Sequence, residues 1–174
     1  MQWVVFLRAV NVGKHNRFQP GVLAKELSHL GFVNVGAVGT FVVRKATSAS
    51  ALRTALLAKL PVKCEMMICR AKVIVELVRT APFTGEMFDN DRRGFVTVLA
   101  KAPADMPKLP IYAPDVKNWE VKIVQINGIC VVSLWRRLRE NALYPNQVIE
   151  KKFALAATTR SWNTILKVGE LLQL

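Results

Sequence analysis

Two short polar segments interrupt an otherwise apolar chain. Arg8-Ala9-Val10-Asn11-Val12-Gly13-Lys14-His15-Asn16-Arg17 lies near the start, and Thr158-Thr159-Arg160-Ser161-Trp162-Asn163-Thr164 lies near the end. Each gathers amides, hydroxyls and guanidinium groups just before a stretch with helical periodicity. A helix start presents unpaired N–H groups and the positive end of its dipole, and both favour an anion. The candidate anion-binding residues are therefore Arg8, Asn11, Gly13, Lys14, Asn16, Arg17, Arg160, Asn163 and Thr164. Gly13 lets backbone approach a ligand, while Lys14 and Arg17 supply charge. The spacing is not that of a Walker loop. The competing structural reading makes Asn11 and Asn16 turn residues and Thr159 or Ser161 the cap of the last helix. Arg160 then pairs with a carboxylate such as Glu170 or Asp115.

A second basic group, Arg136, Arg137 and Arg139 with Lys151 and Lys152 further on, can contact a phosphate backbone, although a charge run is usually a solvated face. Arg92-Arg93-Gly94-Phe95-Val96-Thr97-Val98 echoes part of an RNA-recognition strand but lacks its second aromatic, and reads as a chance match. No nucleophile elbow or dinucleotide fingerprint is present, and no carboxylate pair stands out for acid–base work. The sequence leans away from an enzyme, and no cofactor is implied.

The chain has 174 residues, about half of them hydrophobic, enough to bury a core. Lys and Arg number 25 against 12 Asp and Glu, a formal net charge of +13. Such a surplus attracts nucleic acid, anionic lipid or phosphorylated ligands. Cys64, Cys69 and Cys130 are too few for a disulfide scaffold, and they form no zinc pattern with His15 and His29, so no metal is expected. They read as inert thiols in a reducing cytoplasm. Met1 to Leu7 is apolar, but Arg8 follows at once, so it reads as a strand and not a signal peptide. No run approaches the ~18 apolar residues that span a bilayer.

The elements that must hold these residues can be read in order. Trp3 to Leu7 predicts a strand covered on both faces. Pro20 opens a helix carrying Leu23, Leu27 and Leu30, and Gly31 stops it. Phe32 to Val38 and Phe41 to Arg44 predict strands around a Gly39-Thr40 turn. Ser48 or Ser50 caps a helix with Leu52, Leu56 and Leu60 inward, and Val62 to Cys69 predicts a fourth strand. That order is the split βαβ, ferredoxin-like arrangement. Ala71 to Arg79 predicts an extra helix. A boundary in the polar stretch 84–94 divides the chain into a ferredoxin-like half, 1–83, and an α+β half, 84–174, that ends in a helix. The second half predicts strands at Phe95–Ala100, Trp119–Ile126 and Ile129–Trp135, the last two joined by an Asn127-Gly128 hairpin turn. The proline-bearing stretch Ala102–Pro114 predicts loop with a short helical turn. Helices follow at Asn146–Phe153 and from about Ser161 to Leu172. The fold class is α+β, with two ferredoxin-like halves of mostly antiparallel sheet and an added C-terminal helix.

Leu7-Arg8-Ala9-Val10-Asn11-Val12-Gly13-Lys14-His15-Asn16, then Leu30-Gly31-Phe32-Val33-Asn34-Val35, and finally Thr158-Thr159-Arg160-Ser161-Trp162-Asn163-Thr164-Ile165-Leu166-Lys167-Val168 follow one another in a familiar order. The chain resembles the bacterial domain-of-unknown-function family 1697 from end to end. The resemblance implies an α+β fold of ferredoxin-like halves in a cytosolic bacterial protein, and no established reaction. Ala9 and Lys14 stand where the family has glycines, Ser161 where it has asparagine, and Val38-Gly39-Thr40 where it has Ser-Gly-Asn. These are positions a ligand would use, so they mark a changed or lost site. Both polar segments carry the resemblance, so they are expected to meet, with Asn11 and Asn163 within about 20 Å of each other.

Three functions follow as expectations. The first is a binding module for nucleic acid or another phosphate-bearing anion. The second is a small enzyme acting on a phosphorylated or carboxylated metabolite held between the halves. The third is a protein–protein scaffold, for which Trp119, Trp135 and Trp162 in the second half supply anchors.

Overall fold

The computed structural model describes residues 2–8, 19–45, 47–60 and 64–172. The chain is α+β, with its helices and two antiparallel sheets distributed over two compact units, Met1–Glu76 with Leu166–Leu174, and Leu77–Ile165.

In the first unit the strands are β1 (Trp3–Arg8), β2 (Phe32–Asn34), β3 (Thr40–Val43) and β4 (Glu65–Arg70). Helix α1 (Pro20–Glu26) connects β1 to β2, and α2 (Ala49–Lys59) connects β3 to β4. The sheet order is β2-β3-β1-β4, antiparallel throughout. Pro20 takes the first helical position, where its missing N–H costs nothing. Gly31 ends the short 3-10 turn after α1 in the left-handed conformation. Ser48 caps α2, its Oγ accepting from Ala51 N at 3.1 Å. Leu23 and Leu27, with Leu52 and Leu56, pack against Trp3, Val5, Leu7, Phe41 and Val43. Alternate residues Val4 and Phe6 are also fully buried, so β1 is covered on both faces, as its unbroken apolar run requires. Helix α3 (Ala71–Arg79) follows β4 directly.

The second unit holds β5 (Arg92–Leu99), β6 (Ile111–Ala113), β7 (Val121–Asn127), β8 (Cys130–Arg136) and β9 (Ala157–Ser161), in the order β6-β7-β8-β5-β9. The β7–β8 hairpin turns at Asn127-Gly128, where Gly128 has φ +59°. Helix α4 (Pro145–Phe153) packs Ile149 onto Leu99, Ile123, Val131 and Ala157. Helix α5 (Trp162–Leu172) begins in this unit and ends in the first.

Two strands of this sheet are absent from the sequence-based expectation. β6 has only three residues, enclosed by Pro110 and Pro114, too few for alternation to show. An edge strand tolerates such flanking prolines. β9 is Thr158-Thr159-Arg160-Ser161 with Ala157, read from sequence as a polar approach to a helix. Its threonines suit a pleated surface, and pairing with β5 makes it a strand. Among the described residues, no helix is long and apolar enough to cross a membrane.

Candidate functional site

β9 carries the C-terminal polar segment along the edge of the second sheet. Thr159 lies opposite Thr97, Arg160 opposite Val96, and Ser161 opposite Phe95. Side chains alternate, so Thr159 and Ser161 share one face and Thr158 and Arg160 the other. Thr159 Oγ1 donates to Asn146 Oδ1 at 3.0 Å and lies 2.8 Å from Thr97 Oγ1, tying α4 to β9 and β5. Glu150 adds a second tie, accepting from Ala157 N at 2.8 Å.

Arg160 is 6 % exposed. Its Nη1 donates to Thr158 Oγ1 at 2.7 Å and to the Thr159 carbonyl at 3.0 Å. Burial pulls its pKa down to about 10, so the guanidinium stays charged at neutral pH. Arg160, read from the sequence as part of a polar approach to the last helix, is thus a buried group at a sheet edge. Burial also raises the pKa of Tyr144, an effect that the charges of Arg160 and Arg93 oppose. These three side chains therefore lie close enough to interact.

Ser161 is the hinge between strand and helix. Its Oγ accepts from Thr164 N at 3.3 Å and lies 3.1 Å from Thr164 Oγ1, capping α5. Around this cap is a hollow of about 350 Å³. Gly94 lies at its base, and Phe88 and Trp162 are aromatic walls; Arg93, Asp89, Ser161 and Asn163 supply polar groups. Position 94 has no room for a side chain unless the surrounding rings move. A Cβ there would stand 2.6 Å from Phe83 Cε2 and 2.9 Å from Phe88 Cζ. Phe83 holds both walls edge-on, its ring centroid 5.4 Å from Phe88 and 5.1 Å from Trp162. Arg93 Nε donates to the Asp89 carbonyl at 3.4 Å, and Asp89 Oδ1 accepts from Asp91 N at 2.7 Å and Arg92 N at 2.8 Å. The carboxylate is thereby engaged by its own turn. Of the predicted residues, Asn163 lines the hollow and Thr164 is bonded to its Ser161 cap, while Arg160 is not part of its lining. Arg93, Phe88 and Asp89 were missed, since only the fold of β5 against β9 brings them there.

Of the N-terminal segment, Arg8 ends β1 and forms an ion pair with Glu65 across the β1–β4 ladder. Asn11, Gly13, Lys14, Asn16 and Arg17 lie outside the described residues, as does the Asn11 end of the expected approach to Asn163. Three of the family departures are placed: Thr40 is fully buried, Val38 is exposed, and Ser161 caps α5.

The basic run is spent largely on the protein itself. Arg136 donates to the carbonyls of Trp119 and Lys117 and lies over the Trp119 ring, 4.2 Å from its centroid. Arg137 pairs with Asp91 at 3.1 Å. Arg139 grips the buried carboxylate of Glu120. Lys151 and Lys152 are exposed in the last turn of α4, where they complement the helix dipole, and Lys152 lines a shallow hollow with Asp105. Phe95 is buried against Trp135, 6.2 Å between centroids, and is no stacking platform.

A solved structure, "the structure of conserved bacterial protein SP0830 from Streptococcus pneumoniae", superposes with a TM-score of 0.61 at 16 % identity, covering 98 % of each chain. At that identity the likeness shows the fold alone. No curated protein matches the chain. The family model described as "protein of unknown function (DUF1697)" matches residues 1–125. That match spans most of the chain and includes the Arg8 and Leu30-Gly31-Phe32 motifs, so the chain belongs to the DUF1697 family.

Proposed function

We propose that this chain is a binding module for a phosphate-bearing anion, seated in the hollow at the start of α5. The observation that carries the reading is the convergence of Arg93, Ser161 and Asn163 on one concave site at the positive end of a helix. Its size lies at the small end of the range of ligand pockets. Phe88 and Trp162 favour a ligand with a flat apolar part beside its phosphate, as in a nucleotide. The buried charge of Arg160 and the overall charge of +13 add longer-range attraction. Asp89 opposes an anion, but its Oδ1 already accepts two backbone N–H groups.

Tyr144 is the titratable group that feels both arginines, and burial raises its pKa. It holds its proton at neutral pH. Cys64, Cys69 and Cys130 as thiols and not disulfides accord with a bacterial cytoplasm.

Calorimetric titration with inorganic phosphate, pyrophosphate and nucleoside phosphates tests the reading. Binding that weakens as salt rises, and that Arg93→Gln reduces about tenfold, is expected. No heat with any of these ligands, or equal affinity in Arg93→Gln, overturns it.

A further inference from the structure

We infer that the β6–β7 side of the second sheet is a stacking surface for single-stranded nucleic acid, built from Tyr112, Trp119, Lys122 and Arg136. This goes beyond the anion site and shares no residue with the hollow at the start of α5. The register places Tyr112, Lys122 and Arg136 on one face, and the Trp119 ring lies against Arg136. Tyr112 lies opposite Lys122, and Lys122 opposite Leu134. Arg136 is two residues beyond Leu134 on β8 and so points to the same side. Each cation on this face lies against an aromatic ring. Lys122 Nζ lies 5.6 Å from the Tyr112 ring centroid, and the Arg136 guanidinium lies 4.2 Å from that of Trp119.

Three features fit a strand of nucleotides. First, the rings and cations are partly exposed here, whereas Val96, Val98, Cys130 and Val132 in β5 and β8 are fully buried. Second, Arg136 is held in place, with Nη2 donating to the Lys117 carbonyl at 3.0 Å and Nε to that of Trp119. A fixed guanidinium plane on an indole offers a base a ready platform at little entropic cost. Third, the local charge is complementary to phosphate: Lys117, Lys122, Arg92 and Arg136 outweigh Asp115 and Glu86, and the buried Glu120 is offset by Arg139. Glu86 is paired with Arg92 at 2.6 Å, and Asp115 Oδ1 accepts from Lys117 N and Asn118 N. A duplex hides its base faces, so rings on a sheet select the single strand.

Fluorescence anisotropy with a labelled single strand of ~12 nucleotides, as RNA and as DNA, and with the matching duplex tests this. The expected result is a preference for either single strand of about tenfold or more over duplex, weakening between about 50 and about 200 mM salt. Tyr112→Leu and Trp119→Leu each weaken binding by about fivefold to a hundredfold. Tyr112→Phe, which keeps the ring, binds as the parent does, and it controls for folding. Lys122→Gln lowers the salt slope by about 0.7, whereas Lys59→Gln, an equal change of charge on α2 in the first unit, does not. Equal affinity for duplex and single strand, or parental binding by Tyr112→Leu, overturns the inference. Oligonucleotide binding lost in Arg93→Gln and intact in Tyr112→Leu assigns nucleic acid to the hollow and overturns it too. Failure of inorganic phosphate to bind the hollow tests the anion reading and leaves this one standing.

Discussion

Arg139 holds the carboxylate of Glu120 in a two-pronged grip, with Nε 3.0 Å from Oε1 and Nη2 3.2 Å from Oε2. Glu120 is 2 % exposed, and Leu143 N supplies a third donor at 3.0 Å. The arginine hydrogen bonds, followed by the Leu143 amide, hold its pKa below the usual glutamate value against the cost of burial. The pair pins the segment after β8 to the start of β7.

Arg139→Ala is expected to destabilise the fold by about 2 kcal/mol at pH 7, because it strands a buried carboxylate. The sign with pH follows from the depressed folded-state value. The stabilisation is complete above the unfolded glutamate pKa of about 4.3 and is lost as pH falls through the lower folded value. Urea unfolding at pH 7, 5 and 3 checks this. The gap between parent and Arg139→Ala should narrow towards pH 3, and a constant gap would contradict the assignment.

Gly94→Ala is expected to lower stability by about 1–3 kcal/mol, since its Cβ would press into the Phe83 ring. Phe83 is braced by Phe88 and Trp162 and cannot swing away without moving both walls of the hollow. Thermal unfolding together with phosphate titration reads both consequences. A variant with unchanged melting temperature would show that the ring yields easily.

Thr159→Val keeps the side-chain shape and removes the hydroxyl that joins Thr97 to Asn146. A cost of about 1–3 kcal/mol is expected, because Thr97 Oγ1 on β5 and Asn146 Oδ1 on α4 lose their partner. Amide hydrogen exchange should speed up in α4 first. Uniform acceleration across the second unit would instead mean that α4 and the sheet open together.

Ser133→Ala is expected to be neutral or to stabilise by about 1 kcal/mol. Ser133 is fully buried on β8, and its Oγ has no hydrogen-bond partner among the described residues. Removing an unpaired buried hydroxyl relieves its desolvation cost. The melting temperature should hold or rise by about 2–4 °C. A clear fall would reveal a partner for the hydroxyl, or a void that matters more than the polar atom.

Local chemistry decided much of this fold. Pro20, Gly31, Ser48 and the Asn127-Gly128 pair act through their own backbone preferences, which operate whatever the chain packs against. The apolar runs of β1, β3, β5 and β8, and the 3.6-residue spacing of Leu52 and Leu56, named the core because burial is legible as periodicity. The family motifs set the α+β class. Tertiary structure alone decided the fate of the polar segments. Thr158 to Ser161 has no apolar period, so only pairing with β5 makes it a strand, and that pairing buries Arg160 and brings Arg93 to Ser161 and Asn163. Likewise Arg136, Arg137 and Arg139 read as a free basic run, but Trp119, Asp91 and Glu120, 17 to 46 residues earlier in the chain, take them up. Partners chosen across such distances depend on strand register, which no local window of sequence contains.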